Sequence, residues 1–303
     1  MAAFGFETVT GGVYRLRIVF VNAYAVEVQG GWVLVDTGPP GFGPLVALAA
    51  MKQFGDVPPK AIVLTHAHFD HSGNAKALAD EWDVPIYVFE QELPYVTKRS
   101  DYAPQDPTPG GAICFLSRVF PTHGIDLGDR VRVLHEGEMP LMPGWTVIHT
   151  PGHTQGHVSL FREGDRTLLA GDAFATADTD NWIDVLGWSK RLSRPPTPFT
   201  PDWESTCASV EKLVALRPAI AAAGHGYPLT GGDLPSALAA FEREMAPPPK
   251  GRYTDHPAEY APDGSLAEVP PPAPDPLPKK LAVAGIVAVI GFIVVKAVSG
   301  RRK

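Results

Sequence analysis

Residues 65–71 read Thr-His-Ala-His-Phe-Asp-His and directly follow the apolar run Ala61–Leu64. They place three imidazoles and a carboxylate within six residues. Neutral imidazole is the commonest protein metal ligand, and a carboxylate oxygen completes the coordination of metals such as Zn²⁺. Because adjacent residues cannot all point at one ion, this density of ligands predicts two metals. If the apolar run is a buried strand, the ligands lie on the loop at its carboxyl end, where α/β folds usually place their chemistry.

Three further candidate ligands occur later in the chain, each after an apolar run and a glycine: His153, Asp172 and His225. Glycine permits the tight turn that brings a ligand directly after a strand. Taken singly, a loop histidine is more often a surface or hydrogen-bonded residue than a ligand. Four such strand-end positions in one chain favour the metal interpretation.

The pattern resembles the metallo-β-lactamase superfamily of hydrolases, whose HxHxDH motif matches His66, His68, Asp70 and His71. The later motif positions of that family match the three further candidates. The resemblance also reaches Asp36, which in this family lies beneath the metal site and orients a ligand. It covers roughly residues 10–245.

This resemblance implies an α/β fold, a four-layer αββα sandwich with the metals at one edge between the two sheets. In the two-metal members the seven matching positions divide as follows: His66, His68 and His153 hold one metal, Asp70, His71 and His225 hold the other, and Asp172 bridges them. All seven positions have the expected residue type. The resemblance therefore implies two divalent metal ions per chain, Zn²⁺ first, with Fe or Mn as alternatives.

Such a site implies a hydrolase in which a metal-bridged hydroxide attacks the carbonyl of an ester, lactone or thioester. Asp70 and Asp172 are the expected catalytic carboxylates, since both hold metals and Asp70 can also take or return the proton. His157 matches no ligand position of the family, and we expect it to support a ligand or the structure. The remaining histidines receive no role: His123, His135, His149 and His256.

The substrate class stays open. The motifs at 151–154 and 171–172 resemble both the hydroxyacylglutathione hydrolases (glyoxalase II) and the quorum-quenching lactonases. The former bind glutathione through basic residues of a C-terminal helical domain, whereas here only about 20 residues separate His225 from a proline-rich segment, and Arg243 is the one arginine among them. The lactonases place a tyrosine shortly after the bridging aspartate, whereas this chain has Ala173 and Phe174.

Two functions other than hydrolysis also fit the resemblance. One is a mono-iron persulfide dioxygenase, which uses the same fold with the ligands His66, His153 and Asp172 alone. The other is a non-catalytic, membrane-tethered binding protein that kept the site by descent. A protein freed from catalysis would be expected to lose at least one of the seven ligands, which disfavours the second alternative.

Composition restricts the partners. The net charge of -7 and the pI of about 5.8 give no basic nucleic-acid footprint, so we expect a small-molecule substrate and no nucleic acid. The two cysteines, Cys114 and Cys207, form no CxxC pair and are expected to be apolar packing residues.

Hydrophobic periodicity gives the element order of a single catalytic domain over residues 1–245. Strands are predicted at 13–21, 23–28, 32–35, 86–89, 131–134, 145–148, 158–161 and 167–170, and helices at 41–54, 73–82, 203–216 and 233–245. The pattern lapses between 90 and 128, where an insertion is predicted to form a lid over the metals or a homodimer contact. Residues 174–201, with Trp182 and Trp188, are predicted to form another wall of the pocket.

The C-terminal part differs in composition. Residues 246–278 contain 11 prolines among 33 residues, which predicts an extended, semi-rigid linker. The following run Leu281–Val295 is apolar and is flanked by basic residues, which predicts a single-pass C-terminal membrane anchor over 279–303. Since no signal peptide is visible at the N-terminus, the expected localisation is the membrane, with the catalytic domain in the cytoplasm.

Overall fold

The computed structural model describes residues 4–184 and 190–275, together with residues 277 and 285. The strands are β1 (Glu7–Thr10), β2 (Val13–Ile18), β3 (Val21–Val28), β4 (Gly31–Val35), β5 (Ile62–Val63), β6 (Ile86–Phe89), β7 (Val131–Leu134), β8 (Gly137–Glu138), β9 (Trp145–His149), β10 (Val158–Arg162), β11 (Thr167–Gly171), β12 (Ile220–Ala223), β13 (Leu229–Thr230), β14 (Glu259–Tyr260) and β15 (Leu266–Glu268). The α-helices are α1 (Gly43–Phe54), α2 (Phe69–Ser72), α3 (Ala75–Trp82), α4 (Leu93–Val96), α5 (Ala112–Ser117), α6 (Trp203–Ala215) and α7 (Leu234–Glu244).

Two sheets form the centre of the molecule. The first has the order β1-β2-β3-β4-β5-β6-β7, antiparallel as far as β4 and parallel from β4 to β7. The second has the order β13-β12-β11-β10-β9-β8 and is antiparallel except for the parallel pair β11 and β12. In both sheets, parallel neighbours bring the carboxyl ends of successive strands to the same edge.

The first sheet is covered on both faces. Along β4, Trp32 and Leu34 pack in the cluster that includes Val46 of α1 and Leu78 of α3. The alternate residue Val33 packs in the cluster between the two sheets. Since successive side chains of a strand point to opposite faces, a strand covered on both sides is apolar throughout. This explains why β4 reads as a continuous apolar run.

The second sheet follows the same rule. In β11, Leu169 packs between the sheets, whereas Leu168 and Ala170 pack in the cluster that includes Val210 of α6 and Leu238 of α7. Helices therefore cover the outer face of each sheet. The predicted four-layer αββα sandwich is confirmed.

The insertion between β6 and β7 contains the short helices α4 and α5. None of its residues from 90 to 127 belongs to either sheet. Tyr95 and Tyr102 are buried and stacked, with ring centroids 4.1 Å apart, so the insertion packs on its own aromatic side chains and on the first sheet. The predicted homodimer contact stays a prediction.

The described part of the segment predicted as an extended, semi-rigid linker lies against the domain. Tyr253 and Ala258 are buried in a cluster with Trp203 and Ala103, and β14 pairs with β15. Proline content predicted an unpacked chain because proline cannot donate to a ladder. The aromatic and aliphatic side chains between the prolines nevertheless supply enough apolar surface for the described part of the segment to pack.

The predicted anchor requires a correction. Residues 279–303, apart from Gly285, lie outside the described residues. In the part of the chain that the structure describes, no helix is long and apolar enough to cross a bilayer. The predicted transmembrane helix therefore has no support in the structure, and the predicted membrane localisation is corrected on that finding.

Candidate metal centre

All seven predicted ligands are buried at the edge where the strands of both sheets end. His66 and His68 follow β5, Asp70 and His71 lie in α2, His153 follows β9, Asp172 follows β11 and His225 follows β12. None is more than 8% exposed. The structure thus brings together residues that are as much as 159 positions apart in sequence (225 minus 66).

The first group consists of His66, His68 and His153, whose ring nitrogens lie within 4.8 Å of one another. His68 Nδ1 and His153 Nε2 are only 3.0 Å apart. The three rings are nearly perpendicular in pairs, with interplanar angles of 84° to 90°. Three nitrogens that converge in this way can hold one cation.

The second group consists of Asp70, His71 and His225, whose ligand atoms likewise lie within 4.8 Å of one another. Asp70 Oδ2 is 3.6 Å from His225 Nε2 and 3.9 Å from His71 Nε2. Both distances exceed a normal hydrogen bond. Asp70 Oδ2 therefore bonds to neither ring, and the three ligand atoms surround a common space.

Asp172 lies between the two groups. Its Oδ2 is 3.1 Å from His225 Nε2 and 3.5 Å from His153 Nε2, and its Oδ1 is 3.6 Å from His71 Nε2. The backbone leaves no room for another side chain beside it, since a Cβ on Gly224 would lie 2.1 Å from Asp172 Oδ1. The single carboxylate thus contacts both groups.

The buried polar atoms of the site fit a divalent cation. His66 Nε2, His71 Nε2 and Asp172 Oδ1 are buried and have no hydrogen-bond partner. An unsatisfied buried polar atom costs about 1–3 kcal/mol. These three residues also form a group whose ligand atoms lie within 4.8 Å. Because the free atoms are imidazole nitrogens and a carboxylate oxygen, they match the ligand chemistry of borderline divalent metals.

Burial sets the protonation of the first group. It lowers the pKa of His66 and of His153 well below the usual value, and it lowers the pKa of His68 to about 3. Neighbouring histidines add to the effect on all three rings. The rings are therefore neutral near pH 7, which is the form that binds metal.

The second group behaves in the opposite way. Burial lowers the pKa of His71, but attraction to Asp172, Asp36 and Asp70 outweighs it, so that this pKa is raised well above its usual value. For His225, burial is likewise outweighed, chiefly by Asp172, and its pKa is raised. Without a metal, these shifts favour the protonated rings, and an incoming cation must displace the protons that they hold.

Asp36 orients His71, as the family resemblance implies. Its Oδ2 is 2.8 Å from His71 Nδ1 and accepts a hydrogen bond from the Thr65 hydroxyl, while its Oδ1 accepts from the Thr65 backbone N–H. Asp36 itself has a φ of 59°, which is uncommon for a residue with a side chain. The hydrogen bonds from Thr65 and His71 hold its carboxylate in place.

His157 supports Asp172. Its Nε2 accepts a hydrogen bond from the Asp172 backbone N–H at 2.8 Å, and its Nδ1 is 2.8 Å from the Thr150 hydroxyl. Burial lowers the pKa of His157 to about 3, so the ring is neutral. Since Nε2 accepts, Nδ1 must hold the single ring proton. His157 therefore contacts the backbone of a candidate ligand and does not coordinate.

Sequence reasoning missed Glu92, a buried carboxylate in the insertion. It accepts hydrogen bonds from the Ala67 backbone N–H at 3.2 Å, the Tyr102 hydroxyl at 2.5 Å and the Thr154 hydroxyl. Burial raises its pKa to about 7. One carboxylate thus joins the loop of the HxHxDH motif to the loop of His153. No periodicity or motif marks this residue, because its partners are distant in sequence.

Replacing Glu92 with leucine is expected to weaken metal binding about 10- to 100-fold, the usual cost of losing a supporting partner of metal ligands. The substitution leaves the Tyr102 and Thr154 hydroxyls without their acceptor and frees the two ligand loops from one another. Glu92→Gln keeps one acceptor and should be milder. Metal content after dialysis against a weak chelator measures the effect, with the exposed neighbour Glu90→Leu as the matched control. Wild-type metal retention in Glu92→Leu would contradict the role.

The metal centre opens onto an apolar pocket. Its lining includes five of the seven candidate ligands. The other lining side chains are Phe20, Phe69, Ile113, Phe120, Pro121, Thr179, Pro196 and Phe199. The insertion contributes three of these, and the segment 174–201 contributes three more, so both segments line the pocket. Trp182 is 51% exposed, and Trp188 lies outside the described residues.

Comparison with known proteins agrees with this geometry. The family model described as "Metallo-beta-lactamase superfamily" matches residues 16–225. The chain is 40% identical to the "Probable metallo-hydrolase YflN" of Bacillus subtilis over 80% of this chain and 94% of that protein. It is 35% identical to a hydroxyacylglutathione hydrolase of Salmonella typhi over 47% of this chain and 45% of that protein. It is 26% identical to an N-acyl homoserine lactonase of a Bacillus species over 57% of this chain and 72% of that protein. The chain therefore belongs to the metallo-β-lactamase superfamily.

Proposed function

We propose that this protein is a binuclear metal-dependent hydrolase that cleaves the ester, lactone or thioester bond of an uncharged substrate with an apolar side chain. The observation that supports it most is the joint burial of the seven candidate ligands beside an apolar pocket. Their free nitrogen and oxygen atoms fit two divalent cations, most simply Zn²⁺, with Fe or Mn as alternatives.

The ligand groups assign the residues. His66, His68 and His153 would hold one ion, Asp70, His71 and His225 would hold the other, and Asp172 would contact both. When bound, the ions supply Lewis acidity, which lowers the pKa of water and polarises a carbonyl oxygen. Nothing else in the pocket lining offers a cation for that purpose, since no lysine or arginine among the described residues contributes to it.

The chain's own groups orient the site and handle the proton. Asp70 lines the pocket, and burial raises the pKa of its carboxyl. A carboxyl with a raised pKa that faces the substrate space is suited to take a proton and return it to a leaving group. Asp36 and His157 hold His71 and Asp172 in position through the hydrogen bonds described above.

The pocket walls indicate the substrate class. Phe20, Phe69, Phe120 and Phe199 surround the opening next to the ligands. Apolar walls gain about 0.8 kcal/mol for each substrate methylene that they bury. Glutathione thioesters carry charged carboxylates, which such walls leave unpaired. The lining therefore supports an apolar ester or lactone over a glutathione thioester.

The mono-iron alternative uses only His66, His153 and Asp172. It leaves Asp70, His71 and His225 without a role, although these three are buried together and converge as closely as the first group. That convergence supports the binuclear hydrolase over the dioxygenase. It also disfavours a non-catalytic binding protein.

A substrate panel tests the proposal. We expect kcat/KM for a decanoyl ester or a lactone with an apolar side chain to exceed that for S-lactoylglutathione at least about tenfold, because each buried methylene stabilises the apolar substrate. The matched control is the same protein after metal removal, which should hydrolyse none of them. Preference for S-lactoylglutathione would contradict the substrate class. Oxygen consumption with glutathione persulfide would instead favour the dioxygenase.

A further inference from the structure

The roof of the pocket belongs to the insertion. Ile113 of α5 and the following Phe120 and Pro121 line the pocket above the candidate ligands. The Phe120 ring lies 5.0 Å from that of Phe69 and 6.1 Å from that of Phe20. Since no residue from 90 to 127 belongs to either sheet, this roof receives no ladder hydrogen bonds from the body of the domain. The backbone N–H groups of Ala112 and Ile113 donate to the carbonyls of Asp180 and Thr179 at the start of α5, and other contacts hold the rest of the insertion.

Residues 246–275, here called the C-terminal strap, supply such contacts along the first part of the insertion. The Tyr95 hydroxyl donates to the Gly264 carbonyl at 2.6 Å. The Leu266 backbone N–H donates to the Ser100 hydroxyl at 3.1 Å. Tyr95 is 1% exposed, so its hydroxyl has left water for a strap carbonyl. The strap is therefore part of the packed structure at this point.

The middle of the insertion is held in the same way. The Tyr253 hydroxyl donates to the Pro104 carbonyl at 2.6 Å, and the Arg252 backbone N–H donates to Asp106 Oδ2 at 2.5 Å. A Cβ on Gly251 would lie 2.6 Å from the same Asp106 oxygen, so only glycine permits this approach. The backbone of each segment thus lies in direct contact with side chains of the other.

The end of the strap reaches the roof helix. Asp275 forms a two-pronged ion pair with Arg118, with Nε–Oδ2 and Nη2–Oδ1 distances of 2.9 Å each. The side chains of the pair are 12% and 25% exposed. Arg118 Nη1 also donates to the carbonyls of Cys114 and Phe115 in α5. The same guanidinium therefore joins the strap to the helix that carries Ile113.

The strap is also fixed to the body of the domain. The Ala258 backbone N–H donates to the Pro201 carbonyl at 3.0 Å, and Ala258 and Tyr253 pack on Trp203 at the start of α6. The strap consequently joins α6, which belongs to the outer layer of the second sheet, to the insertion. A two-pronged, partly buried charge pair at its end adds geometric specificity.

From these contacts we propose that the C-terminal strap is the specificity-determining element that holds the insertion closed over the pocket, with Arg118 and Asp275 as its positioning pair. Where it predicts substrate affinity, this inference rests on the proposed hydrolase function. Opening the roof removes Ile113 and Phe120 from the apolar part of a substrate and leaves the candidate ligands in place. KM for a long-chain substrate should therefore rise while metal content stays unchanged.

Charge exchange in the full chain tests the proposal. Arg118→Glu and Asp275→Arg should each raise KM for a decanoyl ester about tenfold and leave KM for the acetyl ester unchanged within about twofold. The double variant restores an opposite pair and should recover most of the loss. Arg130→Glu, which disrupts an exposed ion pair away from the pocket, is the matched control. Tyr95→Phe offers a second, isosteric way to weaken the strap.

Amide hydrogen exchange gives a readout that needs no substrate. Residues 112–121 should exchange faster in each single variant and return toward wild-type rates in the double variant. Unchanged exchange and unchanged KM in the single variants would overturn the proposal, as would a double variant no better than either single one. If exchange responds as expected while no ester is hydrolysed, the strap stands and the proposed function fails.

Discussion

Replacing Asp172 with alanine is expected to abolish hydrolysis, with kcat/KM falling by at least about 10³-fold. Asp172 is the carboxylate that lies between the two groups, with His225 Nε2 at 3.1 Å and His153 Nε2 at 3.5 Å. Its attraction is also the chief force that raises the pKa of His225. Without the carboxylate both groups lose a donor, so the loss should appear in kcat and in metal content and not as a modest change in KM.

Metal analysis together with turnover of a chromogenic ester measures this result. His66→Ala should behave similarly, because its Nε2 is one of the buried atoms without a partner. Two exposed positions provide matched controls: His135→Ala and Asp129→Ala should leave metal content and activity nearly intact. Near-normal turnover in Asp172→Ala would refute the binuclear mechanism.

The purified full-length protein is expected to contain about two divalent ions per chain, and their removal should abolish activity and lower Tm by roughly 10 °C. A ligand at about 1,000 times its Kd stabilises the folded state by about 4 kcal/mol, and each kcal/mol corresponds to about 2–4 °C at this size. Removal leaves His66 Nε2, His71 Nε2 and Asp172 Oδ1 buried without a partner. Calorimetry before and after chelation, with metal analysis, measures both effects.

The pH dependence of metal uptake has a definite sign. The raised pKa values of His71 and His225 extend the protonated form of both rings to higher pH in the metal-free chain. A cation can bind only as these protons leave, so uptake should release protons and weaken as pH falls. The first group, with lowered pKa values, should release none. A stoichiometry of one ion or fewer, or uptake without proton release, would contradict the assignment, and one Fe would favour the dioxygenase.

The local pattern of apolar and polar residues predicted most of the strands and helices. The strands at 86–89 and 131–134 have the predicted bounds, because each is a short apolar or alternating run between turns. The helix predicted at 203–216 is Trp203–Ala215, and Asp202 accepts a hydrogen bond from the Ser205 N–H as its N-cap. Asp233 precedes α7 as expected but forms no side-chain cap bond.

Other elements form only because neighbouring elements pair or pack with them. Strands β8 and β13 have two residues each and are stabilised by pairing with β9 and β12. Proline content predicts a linker over residues 246–278, yet the described part of it packs through Tyr253 and its neighbours. A two-residue ladder or a packed proline-rich strap has no period of its own, so composition and periodicity cannot reveal it.

Sequence alone was sufficient to nominate the seven candidate ligands, because each follows a strand or lies in the HxHxDH motif, and such spacing is a local property of the chain. The order of the layers was implied by the resemblance to the metallo-β-lactamase superfamily. The convergence of those ligands around Asp172, the contacts of Glu92 with Ala67 and Thr154, and the closure of the roof by the strap arise only in the folded chain. These contacts join residues tens to more than a hundred positions apart, and their formation depends on chain topology and packing, not on any nearby pattern.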